Sequence, residues 1–129
     1  MTTPPIRTSM STPMDMIERP ATGAVVLSLS GRVDSGTAPD VQDRLLPRVE
    51  SAGTTPVLID LSNLTYIASA GLRVLLMAVK RARAAGGGLH LAGPRDGVMT
   101  VLEVSGFTAL FEIHDGLQEA LEDLDAALC

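Results

Sequence analysis

The stretch Val57–Met77, VLIDLSNLTYIASAGLRVLLM, constrains this chain more than any other. Val57-Leu58-Ile59 is an apolar run rich in β-branched residues that ends at Asp60, the pattern of a strand buried on both faces. From Leu72 the period changes, and Leu72, Leu75, Leu76 and Val79 fall on one stripe of a helix. The residues between are polar enough to predict a short turn over Ser62–Ser69 and a helix from about Ala70 to Ala85. Ser69 then stands at the helix mouth, where a hydroxyl caps free amides of the first turn. Val74 and Met77 lie off the apolar stripe, beside Arg73, and are expected on the exposed side. An apolar pair placed there suits a docking surface, and methionine adapts to partners.

The rest of the chain supplies the layers around this unit. Residues 1–13 are rich in Thr, Ser and Pro and read as a flexible tail, leaving 14–129 as one domain. Asp15–Glu18 reads as a short edge strand, Pro20–Gly23 as a turn and Ala24–Ser30 as a strand, together a hairpin. A loop is expected over Gly31–Gly36, followed by a helix with Thr37 as its N-cap and Pro39 in its first turn. That helix should bury Val41, Leu45, Leu46 and Val49, kink or end early at Pro47, and stop by Gly53.

Gly86-Gly87-Gly88 follows a helix and precedes a strand, the reverse of the order a phosphate cradle needs, so it reads as a helix stop. Leu89–Ala92 and Phe111–His114 read as strands, with a short helix over Arg95–Ser105 between them. Asp115 and Gln118 have capping-box spacing before a closing helix that buries Leu117, Ala120, Leu121, Leu124 and Leu128. Strands alternating with helices predict an α/β fold. The sheet should be small, mixed and largely parallel, with four to five strands and about four helices.

Composition narrows the function. Aromatic residues make up only 2% of the 129 and apolar residues 46%, so the core is aliphatic. The net charge of -5 argues against a nucleic-acid backbone as partner, and the cluster Arg73, Lys80, Arg81 and Arg83 reads as a solvated helix face. The lone cysteine, Cys129, forms no internal disulfide, and His90 and His114 show no metal-ligand spacing with it or with each other. No metal and no cofactor are expected. No apolar run approaches ~18 residues and no signal peptide is evident, so a cytoplasmic protein without membrane insertion is expected.

Ser69 admits three chemistries. It can cap its helix, contributing ~1 kcal/mol. It can be a nucleophile, since Ile67-Ala68-Ser69-Ala70-Gly71 is close to the G-x-S-x-G elbow, with Asp96 or Glu112 and then His114 as triad partners. Ile67 in place of the first glycine argues against that elbow, and no enzyme activity is expected. Or Ser69 can carry a phosphate, which adds roughly two negative charges at a helix N-terminus whose amides tolerate them.

The order GRVDSGTAP, VLIDLSNLTYIASAGLRVLL, GGGLHLAGP and VLEVSGFTALFEIHD resembles the STAS domain of bacterial anti-sigma factor antagonists, from about residue 14 to 128. The resemblance implies a small mixed sheet with helices mainly on one side. It also implies partner switching. The unphosphorylated domain binds an anti-sigma factor that is a serine kinase, and so frees a sigma factor. The kinase uses its own ATP to phosphorylate the serine at the helix start, here Ser69, and a serine phosphatase resets the switch. Asp34 matches the acidic residue of the G-R-x-D loop near that serine. Asp60 and Ser62 match the D-L-S segment, where both suit local turn hydrogen bonds. The implied partner surface comprises Asp34, Ser62, Ala68, Ser69, Ala70 and Gly71, continued along the helix by Arg73, Val74 and Met77. Ala68 stands where many members carry an acidic residue. A STAS scaffold or transport-accessory subunit, binding regardless of charge at residue 69, is the alternative.

Overall fold

The structure, a computed structural model, describes residues 14–128. The tail read at residues 1–13 lies outside the described residues. The elements run β1 (Asp15–Arg19), β2 (Val25–Val33), α1 (Ala38–Ala52), β3 (Val57–Ile67), α2 (Ser69–Ala84), β4 (Leu89–Ala92), α3 (Asp96–Val104), a 3-10 turn (Phe107–Ala109), β5 (Glu112–His114) and α4 (Leu117–Leu128). The five strands form one sheet in chain order; β1 is antiparallel to β2 and the remaining pairs are parallel. No helix among the described residues is long and apolar enough to cross a membrane.

Alternation along the strands divides the core into two layers. Val25, Leu27, Leu29, Val57, Ile59, Leu89 and Leu91 face α1, α2 and α3, and meet Val41, Leu45, Leu75, Val79, Val98 and Leu102. The opposite register, Val26, Leu58 and Ala92, packs on Ala120 of α4 with Leu117, Leu121 and Leu124 half-buried around it. The sheet is therefore covered by three helices on one face and one on the other, the one-sided arrangement that the family resemblance implied.

The long central strand departs from the sequence reading. No turn occupies Ser62–Ser69; β3 continues to Ile67, paired with β2 through Ser30–Asn63, Gly31–Leu64, Arg32–Tyr66 and Val33–Ile67. The register breaks between Ser28 and Ser30 and again between Gly31 and Arg32, and β3 carries an extra residue at each break. The breaks let Leu61, Leu64 and Ile67, spaced three apart, all be buried. Thr65, extra at the second break, donates its hydroxyl to the Gly31 carbonyl at 2.9 Å. Gly31 adopts φ 85°, which a side chain would resist. Gly31-Arg32-Val33 consequently belongs to β2, and the expected loop shortens to Asp34–Thr37.

Three local expectations also change. Pro47 lies inside α1 without ending it; the carbonyl its ring leaves unpaired belongs to Asp43, and both residues are exposed to water. Thr37 precedes α1 but its side chain does not cap it, because the hydroxyl donates back to the Arg32 carbonyl at 2.9 Å. The capping box at Asp115 does not form: the Ala120 amide donates to the Gly116 carbonyl, and Gln118 donates to Glu122 instead.

Candidate functional site

The ends of β2 and β3 position the Ser69 surface. The Ala68 amide donates to the Val33 carbonyl at 2.8 Å, so strand pairing persists to the last residue before α2. Ala68 is extended and takes the N-cap position, its carbonyl accepting from the Gly71 and Leu72 amides. Ser69 is thus the first helical residue rather than the cap. It is exposed, and among the described residues its hydroxyl has no hydrogen-bond partner within the chain.

Asp34 follows Val33 directly, so the Val33–Ala68 bond sets the Asp34 loop beside the helix start. Its Oδ1 accepts from the Gly36 amide at 2.9 Å and the Thr37 amide at 3.1 Å. The Thr37 and Gly36 amides hold the carboxyl below its usual pKa. Gly71 explains how closely α2 sits on these strand ends: a Cβ there would lie 2.6 Å from Val33 Cγ1 and 2.8 Å from Ile67 Cγ1.

An apolar cleft of about 290 Å³ opens at Ser69, lined by Leu72, Arg73, Leu76, Ser105 and Phe107. Next to it Val104 is 82% exposed. Ala68 and Ala70 are half-buried at its head, and exposed Arg73 supplies a cation. Val74 is not on this surface. It is only 3% exposed and joins the main core, because α2 packs on α1 as well as on the sheet and buries a wider face than one stripe. Met77 is half-buried against the same core. Leu76, read as core, is half-buried and lines the cleft.

Ser62 does not join the cluster, because the extended strand separates it from Ser69 by roughly 20 Å. Its amide donates to Asp60 Oδ1 at 3.1 Å, and its carbonyl accepts from Arg95 Nε at 2.8 Å. The local role read for Asp60 and Ser62 holds, but at a strand irregularity rather than in a turn.

Sequence reasoning missed Phe107 and Ser105, which only the return of the chain after α3 brings to α2. It also missed the exposed pair Arg32 and Tyr66, whose guanidinium lies 4.3 Å from the ring centroid just before the site. Their opposition follows from the β2–β3 register, which the assumed turn concealed.

The triad threaded through His114 is not assembled. His114 Nδ1 lies 3.0 Å from Asp123 Oδ2, and its Nε2 lies 3.3 Å from His90 Nδ1. No hydrogen bond among the described residues links either imidazole to Ser69. The two histidines, unrelated by spacing, thus meet across β4 and β5. Burial pushes the His90 imidazole below its usual pKa, partly opposed by the nearby Glu112 carboxylate.

The chain and its mixed sheet are matched by known proteins. A family model described as "Mlab, STAS domain" matches residues 18–122. The "Putative anti-sigma factor antagonist BtrV" of Bordetella bronchiseptica is 34% identical over 119 residues, which is 92% of this chain and 98% of that protein. This chain belongs to the STAS family of anti-sigma factor antagonists. The STAS fold is equally plain among solved structures. An anti-sigma factor antagonist from Mycobacterium paratuberculosis superposes with a TM-score of 0.79 at 22% identity, over 89% of this chain and 98% of that one. The antagonist SpoIIAA in its unphosphorylated form gives 0.74 at 18% identity, over 87% and 97%. Its phosphorylated form from Bacillus gives 0.66 at 18%, over 85% and 99%. At such identities the structures show the fold alone.

Proposed function

We propose that this STAS domain is a non-enzymatic, cytoplasmic anti-sigma factor antagonist. It binds an anti-sigma factor with serine kinase activity through the Ser69 surface, so that a sigma factor is released. Phosphorylation of Ser69 by that kinase switches binding off, and a serine phosphatase restores it. The observation that carries the reading is the placement of Ser69: exposed, first in α2, free of internal hydrogen bonds among the described residues, and on the rim of an apolar cleft.

The physical consequences favour a switch in docking over a change of fold. A phosphate at the first helical residue meets free backbone amides and the positive end of the dipole, so α2 tolerates it. A partner covering the cleft would have to desolvate a dianion, at a cost of several kcal/mol. Losing even ~3 kcal/mol weakens binding more than a hundredfold. Asp34, held ionised by its loop amides, adds like charge on the same side. SpoIIAA, solved in unphosphorylated and phosphorylated forms, lends support by similarity.

The test uses the cognate anti-sigma factor, wild-type chain, Ser69→Ala and Ser69→Asp. Incubation with ATP should add one phosphate to wild type and none to Ser69→Ala, read by intact mass. Ser69→Asp should bind at least a hundredfold more weakly by calorimetry while retaining the wild-type melting temperature. Equal binding by both folded forms would remove the switch and favour a STAS scaffold or transport-accessory role.

A further inference from the structure

Away from Ser69, the sheet register assembles a second group of chemically active side chains. β4 and β5 pair His90 with Glu112 and Ala92 with His114. Alternation places Leu89, Leu91 and Ile113 in the main core, so His90, Glu112 and His114 share the face that carries α4. His114 is the diagonal neighbour of His90, within reach of a long side chain. The imidazoles are mostly buried, with side chains 15% and 10% exposed, whereas Glu112 is open at 74%.

The ligating atoms are close to what a tetrahedral ion needs. His90 Nδ1 and His114 Nε2 are 3.3 Å apart; two nitrogens held at zinc's bond lengths in tetrahedral geometry stand ~3.3–3.4 Å apart. Glu112 Oε1 lies 3.7 Å from His90 Nδ1, and one ligand atom from each residue lies within 4.8 Å of the others. Asp123 of α4 accepts from His114 Nδ1 at 3.0 Å. With the proton on Nδ1, the Nε2 lone pair is free and aimed at His90, the carboxylate–imidazole arrangement that orients metal ligands.

We propose that His90, Glu112 and His114 form a binding site for a single divalent transition-metal ion of the zinc type, oriented from behind by Asp123. Two imidazoles and one carboxylate suit zinc or its first-row neighbours rather than Mg²⁺ or Ca²⁺, which prefer oxygen ligands. Three protein ligands leave a position for water. One cavity of about 490 Å³ borders His90 and Glu112, with Arg83 also in its wall, and another of about 310 Å³ borders His114 and Asp123. The ion would clamp the three-residue β5 between β4 and α4, and so stiffen the C-terminal third of the domain without touching Ser69. The competing arrangement is a metal-free hydrogen bond between the imidazoles.

Zinc titration of the chelator-treated full chain decides between them, with Cys129→Ser included to remove thiol binding. Calorimetry should show one equivalent of Zn²⁺, with no heat from Mg²⁺. His90→Gln and His114→Gln should each weaken binding at least tenfold, and Asp123→Asn about tenfold or more, as loss of an orienting partner does. Imidazole ¹⁵N spectra provide a readout independent of the variants' folding. Zinc should shift His90 Nδ1 and His114 Nε2, and leave His114 Nδ1 protonated. Absence of binding, or unchanged affinity in folded His90→Gln and His114→Gln, overturns the site. So do zinc-insensitive imidazole nitrogens.

Discussion

Ala68 donates its amide to the Val33 carbonyl at 2.8 Å, and this bond fixes where Ser69 stands. It closes the β2–β3 ladder at its last position and leaves α2 to begin one residue later. Asp34 on one strand exit and Ser69 on the other are neighbours for that reason. The helix must then pass directly over Val33 and Ile67, which only a residue without a side chain allows.

Gly71→Ala tests this close approach. The new Cβ would meet Val33 Cγ1 at 2.6 Å and Ile67 Cγ1 at 2.8 Å, both on buried side chains with little room to move. Overpacking of this kind costs ~1–3 kcal/mol. Urea denaturation should show a lower midpoint with an unchanged slope. A variant as stable as wild type would mean that α2 lifts off the strand ends freely.

Val104→Asp separates the cleft from the fold. Val104 is 82% exposed at the end of α3, next to Ser105 in the cleft wall. Stability should stay within ~0.5 kcal/mol of wild type, as for most surface changes. Affinity for the anti-sigma factor should fall about tenfold, the equivalent of ~1.4 kcal/mol. Unchanged affinity in calorimetry would place docking elsewhere around Ser69.

The parts legible from sequence are those with an unbroken period. Val57–Ile59, the stripe Leu72, Leu75 and Val79, and the α1 set Val41, Leu45 and Val49 all fell where their spacing put them. The second half of β3 was not legible, because Leu61, Leu64 and Ile67 follow neither a strand period nor a helix period; two register breaks reconcile them. Val74 was misplaced because the spacing of one helix cannot reveal that α1 lies alongside. His90 and His114 were dismissed on spacing alone. Pairing the two expected strands in register, with alternation, would have brought them to one face. Phe107 carried no local signal, since its place in the cleft depends on the route taken after α3.

The Asp34 loop should show a distinct pH signature. Its carboxyl is held below the usual 3.8 by hydrogen bonds from the Thr37 and Gly36 amides. A depressed pKa means that the ionised form supports the loop above the unfolded value, and that this support is lost as pH falls through the lower folded value. Carboxyl ¹³C titration should therefore place the Asp34 midpoint below 3.8, with the Gly36 and Thr37 amide shifts moving on the same curve. In Asp34→Ala those amide transitions should vanish. A midpoint at or above 3.8 would show that the loop does not hold the carboxylate in solution.

Asp60 should matter for stability through the first register break. It is 6% exposed, on the face toward α4; Oδ1 accepts from the Ser62 amide at 3.1 Å, and Oδ2 from the Ser28 hydroxyl at 3.4 Å. Arg19 Nε in turn donates to Ser28 at 2.8 Å, linking the edge strand to β3 through two side chains. Asp60→Ala removes the carboxylate that accepts from the Ser62 amide and the Ser28 hydroxyl, a loss of ~1–3 kcal/mol. Asp60→Asn keeps a carbonyl oxygen in the same place and should recover part of that loss. Chemical denaturation of the two variants measures the difference, and hydrogen exchange at Ser62 locates it. If both lose the same stability and Ser62 exchange is unchanged, the carboxylate acts through Ser28 and Arg19 instead, and the break in β3 is held by packing of Leu61 and Leu64 alone.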